Sequence, residues 1–241
     1  MSESKRILVV SAHPDDIEFG AAGSIAKFVK EGWNVTYLIV TRGQKGAYDA
    51  TVDINEYGKL RESEAREAAK RTGVENVRFL DYVDSEVEYT LELQKDIARE
   101  FRRFKPHRLF CMNPNQLSAQ GFINHPDHRR VARATLDVSL MAGTTAAIFP
   151  ELELEEGLPP WRECEEIWLM GPAGGEEIVD VTDTVDIKLD ALAAHESQNT
   201  SGVLEAIRER LAVRGAESGV AYAESFQVIR RWRAQPAKTP N

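Results

Sequence analysis

Two short segments hold residues that can do chemistry together: AHPDD at 12–16 and HPDH at 125–128. Imidazole nitrogens and carboxylate oxygens are ligands for a divalent cation, and a further carboxylate beside them can take a proton from water. His13 and Asp16 stand three residues apart across what reads as a strand-to-helix turn, stiffened by Pro14, whose ring fixes its own φ. One histidine of the second segment, His125 or His128, completes a set of two histidines and one carboxylate. Three protein ligands leave a coordination position open, the pattern of catalytic rather than structural zinc. Fe(II) suits the same set. A capped turn would account for either segment alone, since Asp is a favoured N-cap. It does not account for three of the five histidines, His13, His125 and His128, falling at two strand ends. His107, which follows Pro106 at a strand entrance, reads as structural.

The elements that must carry these residues alternate between strand-like and helical patterns. ILVVSA (7–12) predicts a buried strand, and GSIAKFVKEG (23–32) a helix closed by Gly32. NVTYLIVT (34–41) predicts a second strand, EYGKLRESEAREAAKRTG (56–73) a helix stopped by Gly73, and NVRFLDY (76–82) a third strand. LELQKDIAREFRRF (91–104) predicts a helix closed by Lys105-Pro106. HRLFCMN (107–113) predicts a fourth strand, emptying into the loop PNQLSAQGFIN. A helix is expected over 129–140, strands over 165–171 and 177–183, a helix over 185–197, and a closing strand near SFQVIRRW. This alternation predicts one α/β domain over 1–241, a Rossmann-like, mostly parallel sheet with helices on both faces. Such sheets bind ligands beyond the C-terminal ends of their strands, where the first and fourth strands deliver their histidines.

A dinucleotide site places G-x-G-x-x-G at the first turn so that backbone N–H groups reach a pyrophosphate. Here Asp15 and Asp16 occupy that turn and Gly20 and Gly23 come later. A phosphate there would meet repulsion on the order of several kcal/mol, so a nicotinamide cofactor is not expected. At 241 residues the chain is long enough for a sizeable core. Its formal net charge of -9 speaks against nucleic acid and anionic membranes as partners. The basic cluster Arg230, Arg231 and Arg233 reads as solvated surface. Cys111 and Cys164 have no CxxC spacing, so neither a disulfide framework nor a thiolate metal site is indicated. The polar opening MSESKR leaves no room for a signal peptide before the first strand, and no apolar run reaches the roughly 18 residues that span a bilayer. The expectation is a cytoplasmic protein.

AHPDD followed by Glu18 and small residues, with HPDH more than a hundred positions on, resembles the PIG-L/LmbE-like deacetylases. These are zinc-dependent enzymes that remove N-acyl groups, usually acetyl from N-acetylglucosamine units. The resemblance runs almost end to end, through TRGQKG (41–46), Arg61 with Glu64, LAAHESQ (192–198) and AESF (223–226). It implies that His13, Asp16 and His128 bind zinc, that Asp15 is the general base, and that His125 faces the tetrahedral intermediate.

Asp127 is placed in sequence to hydrogen-bond a flanking histidine. Pairing with His125 would raise that imidazole's pKa and keep it a donor. Arg61 reads either as the i,i+3 partner of Glu64 or, by resemblance, as a contact to sugar hydroxyls at the pocket rim. His195, on the helix expected over 185–197, reads as a pocket residue or as a helix-surface or interface residue. Some members of the family assemble as hexamers in which a neighbouring subunit completes the pocket, so the resemblance implies a homo-oligomer. Where some relatives have a tyrosine shortly before the second motif, this chain has Ile123, and the loop 114–124 is a candidate lid. The expected function is zinc-dependent removal of the N-acetyl group from an amino-sugar substrate. The alternatives are an amidase taking a larger acyl group from a sugar–thiol conjugate, and a metal-containing binding protein without turnover. A base at Asp15 speaks against the last, because a binder needs none.

Overall fold

In β1 (Arg6–Ser11), Leu8 and Val10 enter one core with Leu38, Val40, Leu109 and Cys111, while Ile7 and Val9 enter another with Val35, Tyr37 and Phe110. A strand covered on both faces needs apolar side chains at successive positions, which is why ILVV is a continuous run and not an alternation. The structure is a computed structural model that describes residues 5–119, 122–171, 173–198 and 202–231. The MSES opening, Gln120 and Gly121 of the candidate lid, and Trp232 and Arg233 lie outside the described residues.

After β1 come α1 (Asp16–Gly20), α2 (Ala22–Lys30), β2 (Asn34–Thr41), α3 (Ile54–Arg71), β3 (Asn76–Tyr82), α4 (Leu91–Phe104) and β4 (Arg108–Met112). A short hairpin, β5 (Ser118–Ala119) and β6 (Phe122–Ile123), precedes α5 (Pro126–Asp137), which continues into a π-helical turn at Val138–Ala142. Then follow α6 (Glu151–Leu154), β7 (Glu166–Met170), β8 (Glu177–Asp180), α7 (Val185–Ala193), α8 (Val203–Ser218) and β9 (Ala223–Arg230). The main sheet has the order β3-β2-β1-β4-β7-β9-β8. Its first five strands are parallel, and β9 runs antiparallel to both β7 and β8. The chain steps outward from β1 through β2 to β3 and then returns to place β4 on the other side of β1. This reversal opens a crevice beyond the C-terminal ends of β1 and β4.

Several elements differ from the sequence expectation, each for a local reason. The helix expected over 23–32 begins at Asp16 as α1, with a break at Ala21, so the acidic turn is itself the helix start. The helix expected over 129–140 begins at Pro126, because a proline suits a first helical position, where its missing N–H is not needed. α7 ends at Ala193, which leaves His195 in the turn beyond it and not on a helix. The strand expected over 177–183 stops at Asp180. α8 was not expected, because its charged residues interrupt the apolar pattern. It is held by Ile207 and Leu211, which pack against Val185, Leu189 and Leu192 of α7. The irregular segment between the π-helical turn and β7 is stapled by Arg102. Its guanidinium, fully buried, donates to the carbonyls of Ala142, Thr145 and Ile148 at 2.6 to 2.9 Å, so those backbone oxygens are satisfied where no strand or helix could do it.

Candidate active site

The turn after β1 is tight enough that Asp15 takes a left-handed backbone, φ +88°, a conformation that costs a non-glycine residue on the order of 1–3 kcal/mol. That geometry turns the two adjacent carboxylates apart. Asp16 folds back, its Oδ2 accepting from the backbone N–H groups of Ala12 at 3.0 Å and His13 at 2.9 Å. Its Oδ1 lies 2.9 Å from His128 Nε2. Asp15 points the other way and accepts from Arg61 Nη2 at 3.1 Å.

His128 comes from the first turn of α5, 115 residues along the chain from His13, and the two are joined because β1 and β4 are neighbours. His13 Nδ1 and His128 Nε2 are 3.1 Å apart. The ring nitrogens on their far sides are already engaged. His13 Nε2 faces Asp84 Oδ1 at 3.1 Å and Asp127 Oδ2 at 3.3 Å, and His128 Nδ1 faces Asn124 Oδ1 at 2.9 Å. Those oxygens only accept, so they keep protons on the far nitrogens and leave His13 Nδ1 and His128 Nε2 facing each other and Asp16 as the atoms a metal would take. A divalent cation placed between these atoms would displace any proton they share and take up both imidazoles and the carboxylate. Two ligands of a tetrahedral zinc at about 2.1 Å lie roughly 3.4 Å apart, close to the observed separation. His13, Asp16 and His128 therefore fit a divalent metal by chemistry and by spacing. A second grouping, His13, His125 and Asp127, also lies within reach of one point. There Asp127 Oδ2 already takes the Ser85 N–H at 2.7 Å as well as His13, while its Oδ1 is buried without a hydrogen-bond partner among the described residues.

The charges follow from this packing. Burial works against a charged His13, but Asp127, Asp84 and Asp16 outweigh it and raise the imidazole to about 10. Burial would push Asp84 up, yet the His13 contact and hydrogen bonds from Ser85 and the Lys45 N–H bring it down to about 2. Asp16, although buried, sits well below the usual carboxylate range because of His128 and His13. Asp15 moves the opposite way, to about 6: burial and the neighbouring Asp16 raise it further than Arg61 lowers it.

His125 caps α5, and its Nδ1 accepts the Asp127 N–H at 3.2 Å. The pairing expected between the Asp127 carboxylate and His125 is therefore not made, since that carboxylate, fully buried, turns to His13 and Ser85. Burial and the nearby His13 push the His125 pKa down, not up. With Nδ1 accepting, the neutral ring carries its proton on Nε2, so His125 is a donor without being charged. Its ring centre lies 4.8 Å from that of His13.

Arg61 does not pair with Glu64. It is buried, donating to the carbonyls of Gly43 and Pro14 at 2.9 Å as well as to Asp15. Glu64 instead holds Ser197, accepting from its N–H at 2.8 Å and its hydroxyl at 2.6 Å. Those contacts explain why TRGQKG and HESQ accompany the metal motifs. Thr41 N–H and hydroxyl both donate to the Ala12 carbonyl at 2.9 Å, and a Cβ at Gly43 would come within 2.1 Å of Arg61. His195 is fully buried and bonds Glu18 Oε2 at 3.1 Å, so it is neither a helix-surface nor an interface residue. His107 keeps a structural contact, its Nδ1 accepting the Arg6 N–H at 3.1 Å.

Sequence reasoning missed Asp84, Asn124 and the Glu18–His195 pair. Asp84 could have been found by position, since it follows β3 at the same edge of the sheet as the two motifs. Asn124 directly precedes the second motif but carries no spacing signal. Among the described residues no helix is long and apolar enough to cross a membrane.

Comparison with known proteins places this geometry in context. The family model described as GlcNAc-PI de-N-acetylase, PIG-L, matches residues 8–139. The chain is 30% identical to the diacetylchitobiose deacetylase of Thermococcus kodakarensis, covering 95% of this chain and 84% of that protein. It is 30% identical to a 1D-myo-inositol 2-acetamido-2-deoxy-alpha-D-glucopyranoside deacetylase of Rhodococcus erythropolis, with 83% of each covered. Its fold superimposes on the N,N'-diacetylchitobiose deacetylase of Pyrococcus horikoshii, solved with an inhibitor, with a TM-score of 0.85 at 29% identity, over 95% of this chain and 85% of that one.

Proposed function

The chain belongs to the PIG-L family of de-N-acetylases, and from that premise we propose that it is a metal-dependent N-deacetylase that hydrolyses the acetamide of an N-acetylglucosamine-type sugar. One observation carries the metal dependence: two imidazole nitrogens, 3.1 Å apart, converge on a carboxylate while the other nitrogen of each ring is committed elsewhere. His13, Asp16 and His128 hold the ion, zinc in our reading, with Fe(II) suited to the same donors. An ion in that set supplies a Lewis acid that polarises a carbonyl and acidifies water toward pH 7.

The chain's own groups do the rest. Asp15, raised to about 6, is mostly ionised at neutral pH yet basic enough to take a proton from the attacking water. Arg61 holds that carboxylate in place through one hydrogen bond while two backbone carbonyls fix the guanidinium. The His125 Nε2–H donates to the carbonyl oxygen as negative charge grows on it. The C–N bond then breaks, and the proton taken up by Asp15 passes to the leaving amine, giving acetate and a free amino sugar. Asp84 and Asp127 orient His13, and Asn124 orients His128. We read residues 1–241 as one catalytic unit.

The test is acetate release from N-acetylglucosamine conjugates by metal-loaded protein, run beside Asp15→Ala. Wild type is expected to release acetate, and the variant to lose orders of magnitude while binding one metal per chain. Acetate release by Asp15→Ala at the wild-type rate would remove the base from the mechanism. Release of a larger acid, and no acetate, would move the activity to the sugar–thiol amidase class.

A further inference from the structure

Helix α5 carries three arginines, Arg129, Arg130 and Arg133, that the reaction above does not use. His125, Arg129, Arg133 and Asp137 are spaced by four residues and so lie along one side of the helix. Helical side chains lean toward the N-terminus, here toward the His125 end. A cavity of about 570 Å³ opens beside this face, lined by Arg129, Arg130, Arg133 and Asp137 with Tyr89 and Asn115 opposite. Its wall thus holds three guanidinium groups against one carboxylate, in a chain whose formal net charge is -9. That carboxylate is occupied, since Asp137 accepts the Tyr89 hydroxyl.

The three arginines are not equally engaged. Arg130 pairs with Glu88 at 3.1 Å, and Arg133 stacks 4.6 Å from the centre of the Tyr89 ring. Arg129, half-buried, makes no side-chain hydrogen bond or ion pair among the described residues. Its guanidinium donors are therefore open to a ligand, and a carboxylate or phosphate is the acceptor that a guanidinium fork matches best. The cavity is joined to the metal-ligand cluster through the chain. Arg129 directly follows His128, and the loop that carries Asn115 runs on to Asn124, which holds the His128 ring.

We propose that this cavity is an anion subsite that receives a carboxylate or phosphate carried by the substrate beyond its N-acetylglucosamine unit. The inference rests on the deacetylase reading for the identity of the sugar. Arg129 supplies the principal contact, Arg133 a second cation, and the pocket selects acidic conjugates over neutral ones of equal size.

The experiment measures binding by calorimetry to metal-loaded Asp15→Asn, which holds substrate without turning it over. Three N-acetylglucosamine glycosides serve as probes: one with a free carboxylate on the aglycone, one with a phosphomonoester, and one neutral and of matched size. At least one acidic probe is expected to bind about tenfold or more tighter than the neutral one, and the tighter of the two identifies the anion. Adding Arg129→Gln is expected to remove most of that preference. Arg133→Gln, at an exposed position that does not threaten folding, is expected to reduce it. Equal affinity for all three probes overturns the subsite, and so does a preference that survives both arginine variants. Turnover by wild type separates the two readings. A preference lost with Arg129→Gln but no acetate from any probe removes the deacetylase and keeps the subsite. Acetate from all three at equal kcat/KM keeps the deacetylase and removes the subsite.

Discussion

Metal binding is expected to tighten about a hundredfold between pH 6 and pH 8, and the reason lies in the surroundings of His13. Three carboxylates, Asp127, Asp84 and Asp16, raise that imidazole to about 10 against the opposing effect of burial. Its Nε2 keeps a proton because Asp84 and Asp127 accept it. The proton a metal must displace is therefore the one on Nδ1, which faces His128. While the pH stays below the pKa of that group, each unit of pH makes the displacement tenfold easier, or 1.36 kcal/mol. The direction is upward: affinity grows as pH rises and levels off only near pH 10. Competition against a chromogenic chelator, corrected for the chelator's own protonation, gives the apparent Kd at each pH. Calorimetry in two buffers of different ionisation enthalpy counts the protons released. Asp84→Asn removes one of the three carboxylates, so it lowers the His13 pKa and flattens the pH dependence toward pH 8. The same change loosens the His13 ring and weakens metal affinity by about 10- to 100-fold. An apparent Kd unchanged between pH 6 and pH 8, with no protons released, would refute this account of the site.

Other consequences are local. Gly43→Ala places a Cβ 2.1 Å from Arg61 Nη1; displacing that guanidinium from Asp15 is expected to cost at least about a hundredfold in kcat/KM. The acid limb of its pH–rate profile is expected to move to higher pH, because Asp15 loses the cation that lowers its pKa. Lys188 and Glu224 form a buried ion pair at 2.7 Å, so Lys188→Met strands a buried carboxylate and is expected to lower stability by about 3–5 kcal/mol in urea titration. Cys111 and Cys164 are buried and their thiols are pushed up to about 12. Native protein is expected not to react with a thiol-specific disulfide reagent at pH 8, whereas unfolded protein consumes two equivalents.

The β1-turn-α1 stretch shows how far a sequence can be read. Ile7 to Val10 announce a buried strand because four successive apolar residues suit a strand covered on both faces. His13, Pro14, Asp15 and Asp16 announce metal chemistry because their types and spacing suit little else. Helix ends were harder to place. Pro126 and Asp127 looked like part of a loop, yet they form the first turn of α5, since capping by His125 depends on a backbone angle that the pattern of residues does not carry. α8 was missed because its buried stripe is only as wide as Ile207 and Leu211 require against α7.

Residue types and their order along the chain were enough to say that an α/β sheet presents two histidine-aspartate segments at the ends of β1 and β4. They were enough because periodicity and metal-ligand chemistry are local properties, legible within a dozen residues. Partner choice is not local. That Arg61 serves Asp15 and leaves Glu64 to Ser197, that Asp127 turns to His13 and away from His125, and that His195 lies buried against Glu18 were decided by the tertiary structure. Each depends on distances of a few tenths of an ångström between elements far apart in the chain, 115 residues apart for His13 and His128. Those distances exist only once the sheet has brought the elements together.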